Sequence, residues 1–265
     1  MLLESAPLCI FLFFPKAGSG IMNELEILHL DDECVVVNKP PDFLVHRSFI
    51  ATGERENVVR TLSRQLGQKV YPVHRLDRAT SGVLMLGLNS EAARLLTTQF
   101  ERREVEKTYL AIVRGYTEHS GTIDMPLKER YDRIATAKEA TEDKPAQEAI
   151  TNYETVSTSE LPISAGRYPT SRFSLVRISP QTGRRHQIRR HLKHIAHPII
   201  GDIKHGDHKV NQLIEREFAI RRLLLVASRL SIRHPSTDEM MQFSATSGEL
   251  FDRALAELQL ATGNV

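Results

Sequence analysis

The chain of 265 residues contains no tryptophan and only two cysteines, Cys9 and Cys34. Two cysteines without CxxC or metal-ligand spacing cannot form a disulfide framework, and they favour a reducing, cytosolic compartment. Hydrophobic residues make up 41% of the chain, which is enough to bury a sizeable core. We therefore expect a cytoplasmic globular protein.

Several motifs that bind cofactors are also absent. The sequence has no GxxxxGK[ST] loop, no GxGxxG loop and no paired acidic cluster of the kind that holds metal ions. The sequence therefore predicts neither a nucleotide cofactor nor a metal.

The chain also lacks an apolar run of membrane-spanning length. The apolar stretch PLCIFLFFP at 7–15 is far shorter than the roughly 20 residues that a spanning helix needs. The segment before it carries Glu4 and no lysine or arginine, which fits a signal peptide poorly. Met22 opens a stretch typical of the start of a folded domain. We expect residues 1–21 to be a dispensable extension and residues 22–265 to form a single folded domain.

Positive charge is concentrated in one part of the sequence. The formal net charge is only +2, yet residues 167 to 233 hold fifteen Lys and Arg against four Asp and Glu. The remainder of the chain is correspondingly acidic. A basic face of this kind suits an anionic partner, of which the phosphate backbone of a nucleic acid is the usual one. A solvated surface is the alternative interpretation.

Strand patterns and helix patterns are intermixed without a regular βαβ rhythm, which favours an α+β fold over a doubly wound sheet. Residues 128–147 are rich in charge, alanine and threonine, and we expect a mobile loop there. The patterns predict strands at 25–30, 34–37, 70–73, 83–88, 105–115 and 172–179, a hairpin within 223–245, and helices at 58–66, 91–104, 184–197 and 248–260.

The stretch HRLDRATSG at 74–82 places one carboxylate, Asp77, between Arg75 and Arg78. Nearby arginines favour the ionised form, and an ionised carboxylate on a rigid turn can act as a nucleophile or a general base. A structural salt bridge is the alternative that the residues alone favour. No second carboxylate stands nearby to complete the pair that ordinary glycoside hydrolysis needs, so Asp77 would have to work alone.

The stretch EKTYLAIV contains Lys107 and Tyr109, which share one face of a predicted strand. A tyrosine there could stack on a planar base while its hydroxyl meets a polar group. A tyrosine buried in the core is the alternative.

The stretch TGRRHQIRRHLKH at 182–194 is the most basic part of the chain and has helical spacing. Its apolar stripe would face the core, so its arginines would face outward or into a cleft. The spacing of the histidines at 186, 191, 194 and 197 fits no common zinc motif. We therefore favour an anion-binding surface over a metal site.

Together, HRLDRATSG, KTYLAIVRG and TGRRHQIRRHLKHIAHPIIGD resemble the motifs of the RluA family of pseudouridine synthases, in the same order. The resemblance covers the chain from Met22 onward. It implies a central mixed, mainly antiparallel sheet with an active-site cleft across it. It also implies the isomerisation of uridine in RNA to pseudouridine without a cofactor.

The resemblance further implies roles for individual residues. Asp77 matches the family's nucleophile, Tyr109 the tyrosine that stacks on the flipped base, and Arg189 the arginine that pairs with the catalytic aspartate. Arg75 resembles the arginine that fills the space vacated in the RNA helix. The remaining expected RNA contacts are Lys107, Arg78, Arg184, Arg185 and His186.

Three stretches, NKPPDFLVHRS, GRYPTSRFSLV and GDIKHGDHKVN, fit a branch of the family that acts on uridine 65 in the T-stem of certain tRNAs. We expect no RNA-binding domain of the S4 type, tRNA as the partner, no membrane, and a monomer without an obligatory protein partner. Two alternatives stay open. One is the same reaction on ribosomal RNA or another tRNA uridine, and the other is a non-catalytic RNA-binding protein or RNA chaperone.

Overall fold

The computed structural model describes residues 24–46, 56–128 and 145–263. The expectations about residues 1–21 and about residues 129–144 of the predicted mobile loop lie outside this part. The described elements are β1 (Glu26–Leu30), β2 (Cys34–Lys39), α1 (Val58–Leu66), β3 (Tyr71–Pro72), β4 (Ser81–Gly87), α2 (Ser90–Glu101), β5 (Glu106–Arg114), β6 (Ser120–Asp124), β7 (Ile150–Leu161), β8 (Ser171–Pro180), α3 (Gln187–His194), α4 (His208–Phe218), β9 (Leu225–Arg233), β10 (Met240–Ser244) and α5 (Glu249–Glu257).

The strands form one sheet in the order β1-β2-β4-β9-β5-β8-β7-β6, with β10 paired to β9 and β3 paired to β4. Strands β4 and β9 run parallel, and the other paired strands are antiparallel. The α+β class and the mixed, mainly antiparallel sheet are thus confirmed. The parallel pair lies near the centre of the sheet, where β4 begins.

The two faces of the sheet are covered by different helices, as the alternation of side chains along a strand requires. On β2, Val35 and Val37 pack with α1, whereas Val36 packs with α2 on the other face. On β5, Ile112 packs with α4 and α5, whereas Ala111 packs with α3. The central strands are therefore buried on both sides, and they hold the loops at their ends in fixed positions.

Local signals explain where the predicted helices begin and end. Helix α1 has the predicted bounds because Asn57 caps its first turn and Gly67 ends it at a φ of 68°. Helix α2 likewise begins after a capping asparagine, Asn89. None of the helices in the three described segments is long and apolar enough to cross a bilayer.

Candidate active site

Asp77 lies in the loop between β3 and β4, directly before the strand that pairs in parallel with β9. The backbone N–H of Thr80 donates to the carbonyl oxygen of Asp77 at 3.1 Å, which closes a tight turn. Thr80 and Ser81 are buried, whereas the Asp77 side chain keeps 20% of its surface exposed. The turn therefore holds the Asp77 carboxylate in a fixed position that solvent can reach.

Arg189 on α3 joins Asp77 to a second carboxylate, Asp202. Its Nη1 donates to Asp77 Oδ2 at 3.0 Å, while its Nε and Nη2 donate to the two oxygens of Asp202 at 2.7 and 2.8 Å. Burial alone would lower the pKa of Arg189, but hydrogen bonds and charges of both carboxylates raise it above its ordinary value. The guanidinium group that bonds to Asp77 is thus itself held in place by Asp202.

The oxygens of Asp202 are fully engaged by protein donors. Besides the two bonds from Arg189, Oδ1 accepts from the backbone N–H groups of Lys204 and His205 at 2.9 Å each. Burial would raise the pKa of Asp202, yet these hydrogen bonds hold it below its ordinary value. Although the structure brings a second carboxylate near Asp77, Asp202 is committed to orienting Arg189 and offers no free oxygen for acid/base work.

His186 precedes α3 and lies beside Asp77. It adopts the left-handed conformation with a φ of 53°, and its Nε2 is 3.9 Å from Asp77 Oδ2. Its Nδ1 is 2.9 Å from Nε2 of His205. Burial lowers the pKa of His186 to about 4, although the charge of Asp77 acts in the opposite direction. His186 is therefore a neutral imidazole at pH 7.

Tyr109 lies on β5 across from Ala227 of β9, and Ala227 pairs on its other side with Gly82. Tyr109 is thus two strands away from the residue that closes HRLDRATSG. Burial raises the pKa of its phenol, and the charge of Asp77 acts in the same direction. Tyr109 packs against the hydrophobic cluster that contains Leu76, the residue directly before Asp77.

Lys39 at the end of β2 connects the loop of Asp77, between β3 and β4, to the loop that follows β2. This fully buried ammonium group donates to the carbonyl oxygens of Pro40, Phe43 and Arg78 at 2.7, 2.8 and 2.9 Å. Because Arg78 follows Asp77 directly, the third bond fixes the backbone of the loop that carries Asp77. Burial lowers the pKa of Lys39 to about 7.

The other predicted RNA contacts have different surroundings. Arg75, Arg78 and Arg185 are exposed, and Arg78 donates from Nε to the carbonyl oxygen of Asp42 at 3.3 Å. Arg184 is half-buried and donates to the carbonyl oxygen of Glu148. Lys107 lies farther along β5, where burial and the charge of Arg103 lower its pKa. The structure thus gathers Asp77, Tyr109, His186 and Arg189, while Lys107 makes no hydrogen bond or ion pair to Asp77 among the described residues.

Three of the four histidines at 186–197 have protein partners rather than a shared centre. His186 pairs with His205, and His197 Nδ1 is 2.9 Å from the carbonyl oxygen of Arg114. The ring nitrogens of His191 are 2.9 Å from Thr151 Oγ1 and 3.0 Å from the carbonyl oxygen of Met125.

In the part of the chain that the structure describes, one group has donor atoms close enough to hold a metal ion: His29, Asp31 and Cys34. It lies at the β1–β2 turn, at the opposite end of β2 from Lys39. The Asp31 carboxylate accepts from the backbone N–H groups of Glu33 and Cys34 and lies 2.7 Å from His29 Nε2. The Asp31 carboxylate therefore caps the β1–β2 turn, which explains why the three side chains lie close together.

Sequence reasoning missed three residues of this site: Asp202, His205 and Lys39. Asp202 and His205 stand in GDIKHGD, a stretch whose resemblance to the family assigns no role to either residue. Lys39 stands in NKPPDFLVHRS, a stretch whose resemblance to the family assigns no role to the lysine. A buried lysine or aspartate has no local signature, because its partners come from distant parts of the chain.

Known bacterial proteins are similar to this chain over most of its length. A protein of Salmonella typhimurium (strain LT2) named tRNA pseudouridine synthase C is 49% identical over 233 residues, which are 88% of this chain and 89% of that protein. A protein of the same name from Pectobacterium carotovorum is 49% identical over 221 residues, which are 83% of this chain but 58% of that longer protein.

A solved structure, human RNA pseudouridylate synthase domain containing 4, superimposes with a TM-score of 0.68 at 26% identity and covers 90% of this chain and 95% of that one. Residues 33–194, which include Asp77, Tyr109 and Arg189, match the family described as RNA pseudouridylate synthase. The chain therefore belongs to the RNA pseudouridylate synthase family.

Proposed function

We propose that this protein isomerises a uridine in tRNA to pseudouridine, with uridine 65 of the T-stem as the target. The observation that carries the proposal is the Asp77–Arg189–Asp202 arrangement, which joins two of the three motif stretches at one partly exposed carboxylate. The name shared by the bacterial relatives supports tRNA as the substrate. The choice of position 65 rests on the resemblance of NKPPDFLVHRS and GDIKHGDHKVN to that branch of the family.

We assign the role of nucleophile to Asp77. In the reaction the bond between C1′ and N1 of uridine breaks, the uracil turns, and C5 bonds to C1′. The carboxylate acts on the ribose, either by attack at C1′ or by assisting loss of the base. The ion pair with Arg189 holds the Asp77 carboxylate in one orientation, which a preorganised site requires. The change is redox-neutral, so no cofactor takes part.

We assign RNA binding to the basic face around this site. A uridine in a paired stem must be flipped out, at a cost of a few kcal/mol. Phosphate contacts from Arg184 and Arg185 offset that cost, and Tyr109 stacks on the flipped base. Arg75, which is exposed two residues before Asp77, fills the vacated place in the stem. The remaining contacts are assigned to Arg78, Lys107 and His186.

We further propose that the protein acts as a monomer in the cytoplasm, where its tRNA substrate is found. Size-exclusion chromatography with light scattering at the concentrations of the activity assay measures the first part. A dimer that persists on dilution would contradict it.

The test incubates purified protein and Asp77→Asn with unmodified tRNA transcripts and maps pseudouridine by carbodiimide treatment and primer extension. We expect one new stop in the T-stem with the wild type and none with Asp77→Asn, while both proteins bind tRNA with similar affinity. Asparagine matches aspartate in shape, so unaltered thermal unfolding of the variant is the control for folding.

Other outcomes lead to other functions. Conversion in ribosomal RNA but in no tRNA would keep the chemistry and reject the substrate. No conversion in either RNA, together with tight RNA binding, would favour a non-catalytic RNA-binding protein. Normal turnover by Asp77→Asn would refute the nucleophile assignment.

A further inference from the structure

The isomerisation moves one hydrogen atom, and the groups assigned so far do not account for it. When C5 of uracil bonds to C1′, C5 still carries its own hydrogen, and the ring holds a double bond between C6 and N1. To complete the product, C5 must lose that proton and N1 must gain one. A general base near C5 is therefore required. If Asp77 has bonded to C1′, that bond breaks as the C5–C1′ bond forms, and the carboxylate leaves with the electron pair.

His186 is placed to be that base. Because C1′ lies about 3–3.5 Å from an attacking oxygen and a C–C bond measures about 1.5 Å, C5 comes within about 5 Å of Asp77 Oδ2. The Nε2 atom of His186 is 3.9 Å from the same oxygen. His186 Nε2 and C5 would therefore both border the same carboxylate oxygen of Asp77.

The second nitrogen of His186 has a proton partner. Its Nδ1 lies 2.9 Å from Nε2 of His205, with the rings edge to face, so one proton is shared between the two nitrogens. When that proton is on Nδ1 of His186, Nε2 carries a lone pair directed towards Asp77. His205 is itself held close by its backbone N–H, which donates to Asp202.

We propose that His186 removes the proton from C5 and that His205 relays it to solvent, an inference that rests on the proposed function. The C5–H bond breaks, its electron pair forms the C5–C6 double bond, and the C6–N1 π pair moves to N1. The C5 proton bonds to Nε2 of His186 while the proton on Nδ1 passes to His205. N1 takes a proton from water and His205 returns one, so atoms and electrons balance.

The charges around His186 suit this role. Asp77 faces it from the catalytic loop, Arg185 and Arg189 from its own segment, and His205 from the segment after Asp202. Burial and the three basic neighbours keep the imidazole neutral at pH 7, so that it can accept a proton. Loss of the C5 proton restores the conjugated ring, so a weak base suffices. The imidazolium that forms lies beside the carboxylate of Asp77, which stabilises it.

The experiment uses tRNA transcripts that carry tritium at C5 of uridine and measures tritium released to water. We compare the wild type with His186→Gln and His205→Gln, and with His194→Gln, an exposed histidine of α3, as the matched control. We expect release to slow by about 100-fold or more in His186→Gln, by less in His205→Gln, and not at all in the control.

A second readout separates chemistry from structure. With deuterium at C5, His186→Gln should show a larger isotope effect than the wild type, because proton removal has become rate-limiting. Release by His186→Gln at the wild-type rate would overturn the proposal. Slow release with an unchanged isotope effect would overturn it too, since that result indicates a structural role. The wild-type rate reports on the proposed function, and the ratio of variant to wild type reports on His186.

Discussion

Replacing Asp202 by asparagine removes the negative charge behind Arg189 and keeps the shape of the side chain. Arg189 is 8% exposed and Asp202 is 2% exposed, so both charges are desolvated. The asparagine oxygen can still accept from the backbone of Lys204 and His205. Its amide nitrogen then faces Nε of Arg189, which places two donors against each other where a bond of 2.7 Å existed.

The magnitude follows from the loss of one partner of a buried ion pair, which costs about 3–5 kcal/mol. We expect about 3 kcal/mol, the lower end, because Arg189 keeps its bond to Asp77, whose side chain water can reach. The loss of a fixed guanidinium also lets Asp77 move. A displaced reacting group costs on the order of 100-fold in rate, so isomerisation should slow by about 10- to 100-fold.

Urea unfolding at pH 7.5 measures the first effect, and single-turnover tRNA modification measures the second. The matched control is Asp238→Asn, whose carboxylate lies 3.5 Å from Arg233 but is 81% exposed. Its loss should cost no more than about 1 kcal/mol, and asparagine also accepts its positive φ of 59°. A variant of Asp202 that unfolds at the same urea concentration as the wild type would refute the reasoning about the buried pair.

Three further substitutions test other parts of the site. Tyr109→Phe should keep tRNA affinity because the ring still stacks; much weaker binding in a filter assay would contradict the stacking role. Gly82→Ala should destabilise the protein by several kcal/mol in urea and slow the reaction, because a Cβ there would stand 2.2 Å from the carbonyl oxygen of Ala227. Unchanged stability would show that β4 can shift. For Lys39→Met, the measurement is the free energy of unfolding of the variant and of the wild type at a series of pH values. Lys39 has a pKa of about 7 in the folded protein against about 10.4 unfolded, so the unfolded state binds more protons between these values. The wild type should therefore gain about 1.4 kcal/mol per pH unit relative to Lys39→Met between pH 7 and pH 9, and equal slopes would contradict the lowered pKa.

The sequence predicted most of the fold where local signals are strong. Helix α1 was predicted with its observed bounds because caps and an apolar stripe agree. Helix α4 was missed, although Asp207 caps it and Val210, Leu213 and Ile214 form its buried stripe. The helix is short, and its apolar residues stand among polar and charged ones, so the pattern is weak. Strand β7 was missed because it lies next to the edge strand β6 and is mostly polar, so its alternation is weak.

The candidate site was predicted only in part, for a physical reason. Asp77 and Arg189 are 112 residues apart, and no periodic pattern links a loop to a helix over that distance. The resemblance to a family supplied the pair, and the structure places the two side chains in contact. The bond from Arg189 to Asp202 and the pairing of His186 with His205 are tertiary contacts of the same kind, so composition and spacing could not reveal them.

The position of an acid inside the basic loop HRLDR now has a structural explanation. The arginines on either side of Asp77 in the sequence, Arg75 and Arg78, are exposed, whereas the guanidinium bonded to its carboxylate comes from α3. An arginine adjacent in sequence would move with the loop, but Arg189 is anchored by Asp202 and by the packing of its helix. The residue that orients the carboxylate is therefore different from the residues to which we assign contact with RNA. A substitution of Arg75 should accordingly weaken tRNA binding and leave the free energy of unfolding unchanged. A substitution of Asp202 should lower the free energy of unfolding and leave tRNA binding unchanged.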